Sequence, residues 1–145
     1  MEITREDIIR FINQASKEMT ANKDYLIELD AASGDGDLGM TMSKGFEAGA
    51  EAANAFGEED LGKLVFKIGS ALAAKVPSTM GTLMGSGFLE AGKALKGKKS
   101  LEPADFAAFC EAYYNGVQKR GKASPGDRTV LDSLKPAADA VKEAV

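Results

Sequence analysis

The segment after Asp60 carries the most regular hydrophobic pattern in this 145-residue chain. Apolar side chains recur there every three or four positions, at Leu61, Leu64, Val65, Ile68 and Leu72. This spacing places them on one face of an α-helix, whereas a half-buried strand would alternate apolar and polar residues. No segment of the chain shows such alternation. The sequence therefore predicts an all-α fold.

Six further segments have helical spacing, which gives seven helical segments joined by short connections. Thr4 with Asp7 resembles a capping box that opens a first helix over about 4–20. Asn22 can cap a short second helix that ends near Ala32. That helix should turn three apolar residues toward the core, Tyr25, Leu26 and Leu29.

The remaining helices differ in what interrupts or lines them. A third helix should begin at Asp37, a candidate N-cap, and a fifth should cover about 79–96 after the break at Pro77. Glycines interrupt the fifth helix at about 1 kcal/mol each relative to alanine, so close packing or ligand approach should compensate. The sixth helix should turn an aromatic stripe toward the core, formed by Phe106, Phe109, Cys110, Tyr113 and Val117.

The composition indicates one domain and restricts its chemistry. Hydrophobic residues make up 44% of the chain, enough for a core of its own. The net charge of -4 and the lack of a basic run argue against a nucleic-acid partner. No apolar run reaches membrane-spanning length and the N-terminus is no signal peptide, so we expect a cytoplasmic protein. The absence of histidine excludes Ser-His-Asp and Cys-His catalysis, and the single Cys110 excludes an intrachain disulfide.

The stretch Leu29–Met42 gathers three carboxylates, Asp30, Asp35 and Asp37, with glycines between them. Like charges repel, so a fold that brings them together needs a cation. Oxygen ligands select hard metals such as magnesium, and free amides at the start of the third helix could bind a phosphate beside the metal. Carboxylates among glycines also suit a solvated turn with helix caps, and the residues alone leave that alternative open.

Two further observations bear on the kind of site. The twelfth position counted from Asp30 is Thr41, which is not the bidentate acid of an EF-hand. A structural calcium module would also leave the long loop from Gly121 to Asp132 without a role. Thr79 to Gly81, at the start of the glycine-rich helix, is a second candidate phosphate contact.

Three motifs together resemble the L-subunit family of dihydroxyacetone kinases, and the similarity runs through the whole chain. They are Asp30 with Gly34-Asp35-Gly36-Asp37-x-Gly, Lys75-Val76 leading to Gly81-x-Leu83-x-Gly85, and Arg120-Gly121-Lys122-Ala123-x-Pro125-Gly126-Asp127-Arg128-Thr129-x-x-Asp132. The resemblance implies an antiparallel barrel of eight amphipathic helices, of which this chain has about seven segments, with the nucleotide at one end.

The resemblance also implies a function, phosphoryl transfer to dihydroxyacetone (glycerone) in glycerol metabolism. The cofactors would be two magnesium ions and ADP or ATP. In the version linked to the bacterial phosphotransferase system, a histidine-phosphorylated donor subunit charges bound ADP to ATP, and the acceptor is held by a K subunit. In the ATP-dependent version the same domain is fused to the K domain and exchanges ATP.

Carried over residue by residue, the family motifs assign a metal site and a nucleotide site. The implied magnesium ligands are Asp30, Asp35 and Asp37. The implied phosphate contacts are Leu38, Gly39, Met40, Thr41, Thr79 and Met80, and the implied adenosine contacts are Gly121 and Val130. No side chain beyond the metal ligands is implied in catalysis.

The chain departs from the family pattern in two ways. The family usually has histidine, asparagine and serine at the positions of Leu38, Thr41 and Met80, and it continues for about two helices beyond Val145. We therefore expect one domain over 1–145 that is incomplete at the C-terminus. Part of the core formed by Phe106, Tyr113 and Leu134 should then be exposed, and the chain should be either a truncated product or one that compensates by self-association. The alternative function is a non-catalytic regulatory or partner-binding relative that keeps the aspartates.

Overall fold

The computed structural model describes residues 2–145 and confirms the all-α prediction. Within these residues there is no strand, and the one extended pairing is a bridge between Ile3 and Leu101. No helix in this range is both long and apolar enough to cross a bilayer. The seven helices are α1 (Arg5–Ala21), α2 (Lys23–Ala31), α3 (Leu38–Asn54), α4 (Leu61–Lys75), α5 (Thr79–Ala94), α6 (Pro103–Gly121) and α7 (Leu131–Ala144).

Short polar side chains begin several of these helices, as the sequence predicts. Thr4 and Asp7 form the capping box of α1. Asp60 accepts a 3.0 Å hydrogen bond from the Lys63 amide at the start of α4. Each such cap satisfies an amide that the helix itself leaves unpaired.

The helices pack side by side in an open ring that runs in the order α1, α3, α4, α5, α6, α7, with α2 packed mainly against α3. The short connections make successive helices in this ring antiparallel. Glycines let α4 and α5 approach closely, because a Cβ at Gly92 would lie 2.7 Å from the Gly62 carbonyl oxygen. Close packing therefore offsets the cost of glycine in α5, and the predicted α4 stripe is fully buried.

The antiparallel order places three connections at one end of the ring. These are residues 32–37 before α3, 76–78 before α5 and 122–130 before α7. The N-termini of these three helices therefore lie at the same end. Helix N-termini carry partial positive charge and unpaired amides, so this end of the fold favours anions.

The prediction for α2 was wrong in two respects. Tyr25 and Leu29 are exposed, at 60% and 50% of their surface, because α2 packs mainly on α3 and only its Leu26 and Ile27 side is covered. Asn22 makes no N-cap hydrogen bond to α2. Asn22 is both the residue directly after α1 and the residue directly before α2. Its side-chain amide donates to the Glu18 carbonyl oxygen at the end of α1 and is therefore directed away from α2.

The stripe of α6 faces the core as predicted, except at its first residue, because Phe109, Cys110 and Tyr113 pack against the core. Val117 is buried, whereas Phe106 is 38% exposed. Phe106 stacks on Phe109 at a centroid distance of 6.0 Å, and together they line an apolar cavity of about 450 Å³ between α1 and α6. Phe11 of α1 lines the same cavity and is 61% exposed. The expected exposure of the core is therefore found at Phe106, whereas Tyr113 and Leu134 are partly buried and pack against the core.

Candidate functional site

The structure brings together the three aspartates that flank the glycines. Asp30 lies in the last turn of α2, Asp35 in the connection, and Asp37 directly before α3. One carboxylate oxygen from each lies within 4.8 Å of the others. Asp30 is half-buried, and Asp35 and Asp37 are exposed. The cluster therefore presents oxygen ligands toward solvent.

Close packing of α2 against the start of α3 holds Asp30 in place. Gly39 is buried, and a side chain there would overlap the carbonyl oxygen of Lys23. Because α2 lies so near, the Asp30 Oδ2 atom accepts a 3.2 Å hydrogen bond from the Leu38 amide. Asp30 therefore satisfies an N-terminal amide of α3 from a neighbouring helix. The positive φ of Gly36, 77°, lets the chain turn between these two contacts.

Asp37 occupies the N-cap position of α3, as predicted, but its side chain has no such partner. Its side chain makes no capping hydrogen bond, while its own amide donates to Asp35 Oδ1 at 3.3 Å. Desolvation and the charges of Asp35 and Asp30 raise the pKa of Asp37 above its ordinary value. A cation beside the cluster would relieve this repulsion.

The donor set fits a hard divalent cation. Three carboxylates supply oxygen ligands only, and magnesium and calcium prefer oxygen. The residues described here place no histidine or cysteine in the cluster. Asp30, Asp35 and Asp37 are therefore the residues that would hold magnesium.

The first turns of α3 and α5 carry unpaired amides. Among residues 2–145, the amides of Gly39, Met40, Thr79 and Met80 have no hydrogen-bond acceptor. In α7, by contrast, the side chain or carbonyl oxygens of Thr129 and Val130 accept bonds from the first amides. Two of the three helix N-termini at this end are thus free to bind an anion.

A cavity of about 550 Å³ lies between the start of α5 and the 122–130 loop. This volume is in the range of small-molecule sites. Leu83, Val117, Val130 and other apolar side chains form much of its wall. Polar groups on the wall include Ser78, Thr79, Thr82, Arg120 and Thr129.

One hydrogen bond connects the amides of α3 to this cavity. The buried Thr41 hydroxyl donates to Ser78 Oγ at 3.1 Å, and Ser78 Oγ also accepts from the Gly81 amide at 3.1 Å. This bond ties the start of α3, which follows the acidic cluster, to the start of α5, which lines the cavity.

Comparison with known proteins assigns the chain to a family. The model of the DAK2 domain matches residues 32–145. The chain belongs to the DAK2 domain family. Two relatives match 99% of this DAK2 chain: the ADP-binding subunit DhaL of a PEP-dependent dihydroxyacetone kinase from Escherichia coli, 29% identical, and that of kinase 1 from Listeria innocua, 32% identical. The chain covers 68% and 72% of their lengths.

A third relative places the domain in a larger protein. The human triokinase/FMN cyclase is 39% identical over 113 residues, which are 77% of this chain and 19% of that protein. Relatives of this chain thus include separate subunits, of which the chain covers 68% and 72%, and a much longer protein, of which it covers 19%.

The structure of this DAK2 domain groups the implied nucleotide contacts around the cavity and the free amides. Thr79, Gly121 and Val130 line the cavity. Leu38 to Thr41 form the first turn of α3, where Met40 is exposed and Gly39 and Thr41 are buried. The Met80 side chain packs against the core, so only its backbone amide faces this region.

Sequence reasoning missed two residues of this DAK2 site. Ser78 was not assigned to the site from the sequence, yet its hydroxyl both caps α5 and joins α5 to α3. Asp132 was part of the quoted motif but was given no role, and it holds the loop that walls the cavity. The signal for Asp132 was its place one residue inside α7, where a carboxylate can accept bonds from preceding amides.

Proposed function

We propose that this chain is the nucleotide-binding subunit of a dihydroxyacetone kinase. It would hold ADP or ATP with magnesium and pass the terminal phosphoryl group to dihydroxyacetone bound on a K subunit. The E. coli and L. innocua relatives, named as ADP-binding subunits of PEP-dependent dihydroxyacetone kinases, support this proposal.

The observation that carries the proposal is the placement of three kinds of group at one end of the fold. The carboxylates of Asp30, Asp35 and Asp37 are within reach of one cation. Free amides follow at the starts of α3 and α5, and the cavity lies beyond them. A nucleoside diphosphate needs these three kinds of group: carboxylates for its metal ion, amides for its phosphates and a cavity for its nucleoside.

The residues of the chain act by positioning and by electrostatics. The amides of Gly39, Met40, Thr79 and Met80 would donate to phosphate oxygens, and the cavity wall at Val130 would exclude water from the nucleoside. Magnesium, when bound, neutralises charge on the transferring phosphoryl group. No side-chain nucleophile is required, which fits a chain without histidine.

The phosphoryl donor in this proposal is a histidine-phosphorylated subunit of the phosphotransferase system. The relative from Lactococcus lactis is named as a subunit of a PTS-dependent kinase, 31% identical over 90% of this chain. Bound ADP would then be recharged in place. The open end of the fold, where Asp35 and Asp37 are exposed, is where donor and K subunit would gain access in turn.

Calorimetric titration of ADP with magnesium, and then with EDTA, tests the nucleotide site. We expect binding with magnesium and its loss with EDTA. Asp30→Asn should abolish magnesium-dependent binding, because it removes the half-buried charge while an oxygen remains for the Leu38 amide. The matched control is Asp139→Asn, which alters an ion pair with Lys135 on α7 and should bind ADP normally.

Equal ADP affinity with and without EDTA would remove the aspartates from the site. If the wild type binds ADP, phosphoryl transfer follows: the chain is combined with a K subunit, a phosphohistidine donor and dihydroxyacetone. Formation of dihydroxyacetone phosphate supports the kinase function. ADP binding without transfer would contradict it in favour of a nucleotide-binding regulator.

A further inference from the structure

The loop over 122–130 forms one wall of the cavity in a costly backbone conformation. Lys122 and Arg128 have φ values of 58° and 57°, and Gly126 has a φ of 98°. Non-glycine residues rarely adopt positive φ, at a cost of about 1 kcal/mol or more each. A loop with two such residues persists only when other contacts hold it.

Within the loop, Asp127 Oδ2 accepts a 2.7 Å hydrogen bond from the Ser124 amide. Asp132 ties the second half of the loop to the first turn of α7. Its Oδ1 atom accepts a 2.6 Å hydrogen bond from the Gly126 amide, and its Oδ2 atom accepts a 3.0 Å bond from the Thr129 amide. The amide of Asp132 donates to the Thr129 carbonyl oxygen at 3.0 Å. These bonds, with a contribution from the Arg128 amide, hold the pKa of Asp132 below its ordinary value.

The carboxylate of Asp132 makes its hydrogen bonds with amides of the loop. It forms no ion pair with a lysine or arginine within residues 2–145. Its side chain is exposed and is absent from the cavity wall, whereas Thr129, whose amide donates to it, and the next residue, Val130, are part of that wall. Asp132 can therefore affect a ligand only through the loop.

We propose that Asp132 is a positioning residue that fixes the 122–130 loop in the conformation that receives the nucleoside. This inference rests on the proposed nucleotide-binding function. Asp132 sets nucleotide affinity without touching the nucleotide or the metal. Because its carboxylate already holds the loop in order, the ligand does not have to order the loop when it binds.

The size of the effect follows from the population of the ordered loop. When only a fraction of molecules has the binding conformation, the apparent dissociation constant rises by the inverse of that fraction. Loss of two charge-assisted hydrogen bonds should leave about 1–10% of molecules with the loop in place. We therefore expect Asp132→Ala to weaken ADP binding about 10- to 100-fold.

A conservative variant distinguishes hydrogen bonding from bulk stability. Asp132→Asn keeps one side-chain oxygen that can accept from Gly126 or Thr129 but not from both in the carboxylate geometry. It should recover part of the affinity that Asp132→Ala loses. A residue that only stabilised the fold would lower the melting temperature without changing ADP affinity well below that temperature.

Asp60 offers a matched control at the other end of the fold. Its carboxylate also accepts amide bonds from two segments, at 3.0 Å from Lys63 and at 3.1 Å from Gly97. It starts α4, about 20 Å along the helix axis from the 76–78 connection. Asp60→Ala should lower the melting temperature but leave ADP affinity unchanged.

The experiment measures four quantities for the wild type and the three variants. These are the melting temperature, the ADP affinity with magnesium by calorimetry, the affinity for manganese alone by its electron paramagnetic resonance signal, and the rate of trypsin cleavage after Lys122 and Arg128. For Asp132→Ala we expect weaker ADP binding, unchanged manganese affinity and faster cleavage of the loop.

The outcomes separate this inference from the proposed function. If the wild type does not bind ADP, the proposed function fails, and the inference fails with it. If the wild type binds ADP and Asp132→Ala binds it equally well, only the role of Asp132 is overturned. An equal loss of ADP affinity in Asp60→Ala, or a matching loss of manganese affinity in Asp132→Ala, would show a general structural effect and would also overturn it.

Discussion

The Thr41 hydroxyl donates a 3.1 Å hydrogen bond to Ser78 Oγ and thereby joins the first turn of α3 to the N-cap of α5. The two helices also contact each other through the edge-to-face pair of Phe46 and Phe88, whose ring centroids lie 6.2 Å apart in the core. The Thr41–Ser78 bond lies at the helix N-termini and therefore helps to set the spacing between the two pairs of free amides. Side-chain oxygens that join two helix N-termini in this way can set how well both reach one anion.

Replacing Thr41 with valine tests this relationship. Valine keeps the shape of the side chain but removes the donor, and the loss of a hydrogen bond typically costs about 1 kcal/mol. We expect the free energy of unfolding in urea to fall by about that amount, and ADP affinity to fall several-fold. Thr41→Ser keeps the hydroxyl and should bind ADP like the wild type. Normal ADP affinity in Thr41→Val would mean that the bond serves stability alone.

The Asp37 carboxylate should lower the stability of the metal-free fold while it contributes to metal binding. It accepts no capping bond and is repelled by Asp35 and Asp30. Asp37→Asn should therefore raise the melting temperature without metal by about 1 °C, since it removes a like charge.

With magnesium, the wild type should have a higher melting temperature than Asp37→Asn. Magnesium should raise the melting temperature of the wild type, since a ligand that binds only the folded state stabilises it. The Asp37→Asn variant should respond weakly or not at all. Scanning fluorimetry with and without magnesium measures both effects. A lower melting temperature of the variant in the absence of metal would contradict the repulsion argument.

Acid should destabilise the chain through its capping carboxylates. A backbone bond from Thr4 lowers the pKa of Asp7, and bonds from Gly126 and Thr129 lower that of Asp132. Because the folded state lowers these pKa values, their stabilising effect is complete above the unfolded value of about 3.9 and disappears as pH falls through the folded values. The melting temperature should be nearly constant from about pH 7 to 5 and fall below about pH 4.

A pair of variants tests how much of this loss of stability at low pH comes from Asp132. Asp132→Asn should make the fall in melting temperature below about pH 4 less steep, because it removes one lowered pKa. Asp24→Asn, at a side chain without hydrogen bonds in the described chain, should follow the wild-type curve. A wild-type curve that stays flat below about pH 3 would contradict the role of these carboxylates.

The helices and the acidic cluster could be predicted from sequence because both depend on local spacing. The α4 stripe and the Thr4 box are set by residues three or four apart. The link from Thr41 to Ser78 joins residues 37 positions apart, and no local pattern encodes it. Tyr25 was misplaced for the same reason, since periodicity shows which residues share a face but not what covers that face.

The apolar cavity between α1 and α6 gives the last prediction. Phe11 and Phe106 both line it and are 61% and 38% exposed, so a solvent-facing apolar surface lies next to the core. Surfaces of this kind bind other apolar surfaces or dyes. We expect the chain to bind an environment-sensitive dye such as anilinonaphthalene sulfonate, and to self-associate with increasing concentration. Phe11→Ser should reduce both while changing the free energy of unfolding by no more than about 1 kcal/mol, since the side chain is mostly exposed.

Tyr25→Ser is the matched control for Phe11→Ser. Tyr25 is 60% exposed but lies on α2, away from the cavity, so its removal should change neither dye binding nor association. Light scattering over a range of concentrations, together with dye fluorescence, measures the two effects. A monomer at all concentrations with no dye binding would show that the cavity is closed in solution. Equal effects of both variants would place the interacting surface elsewhere than at Phe11.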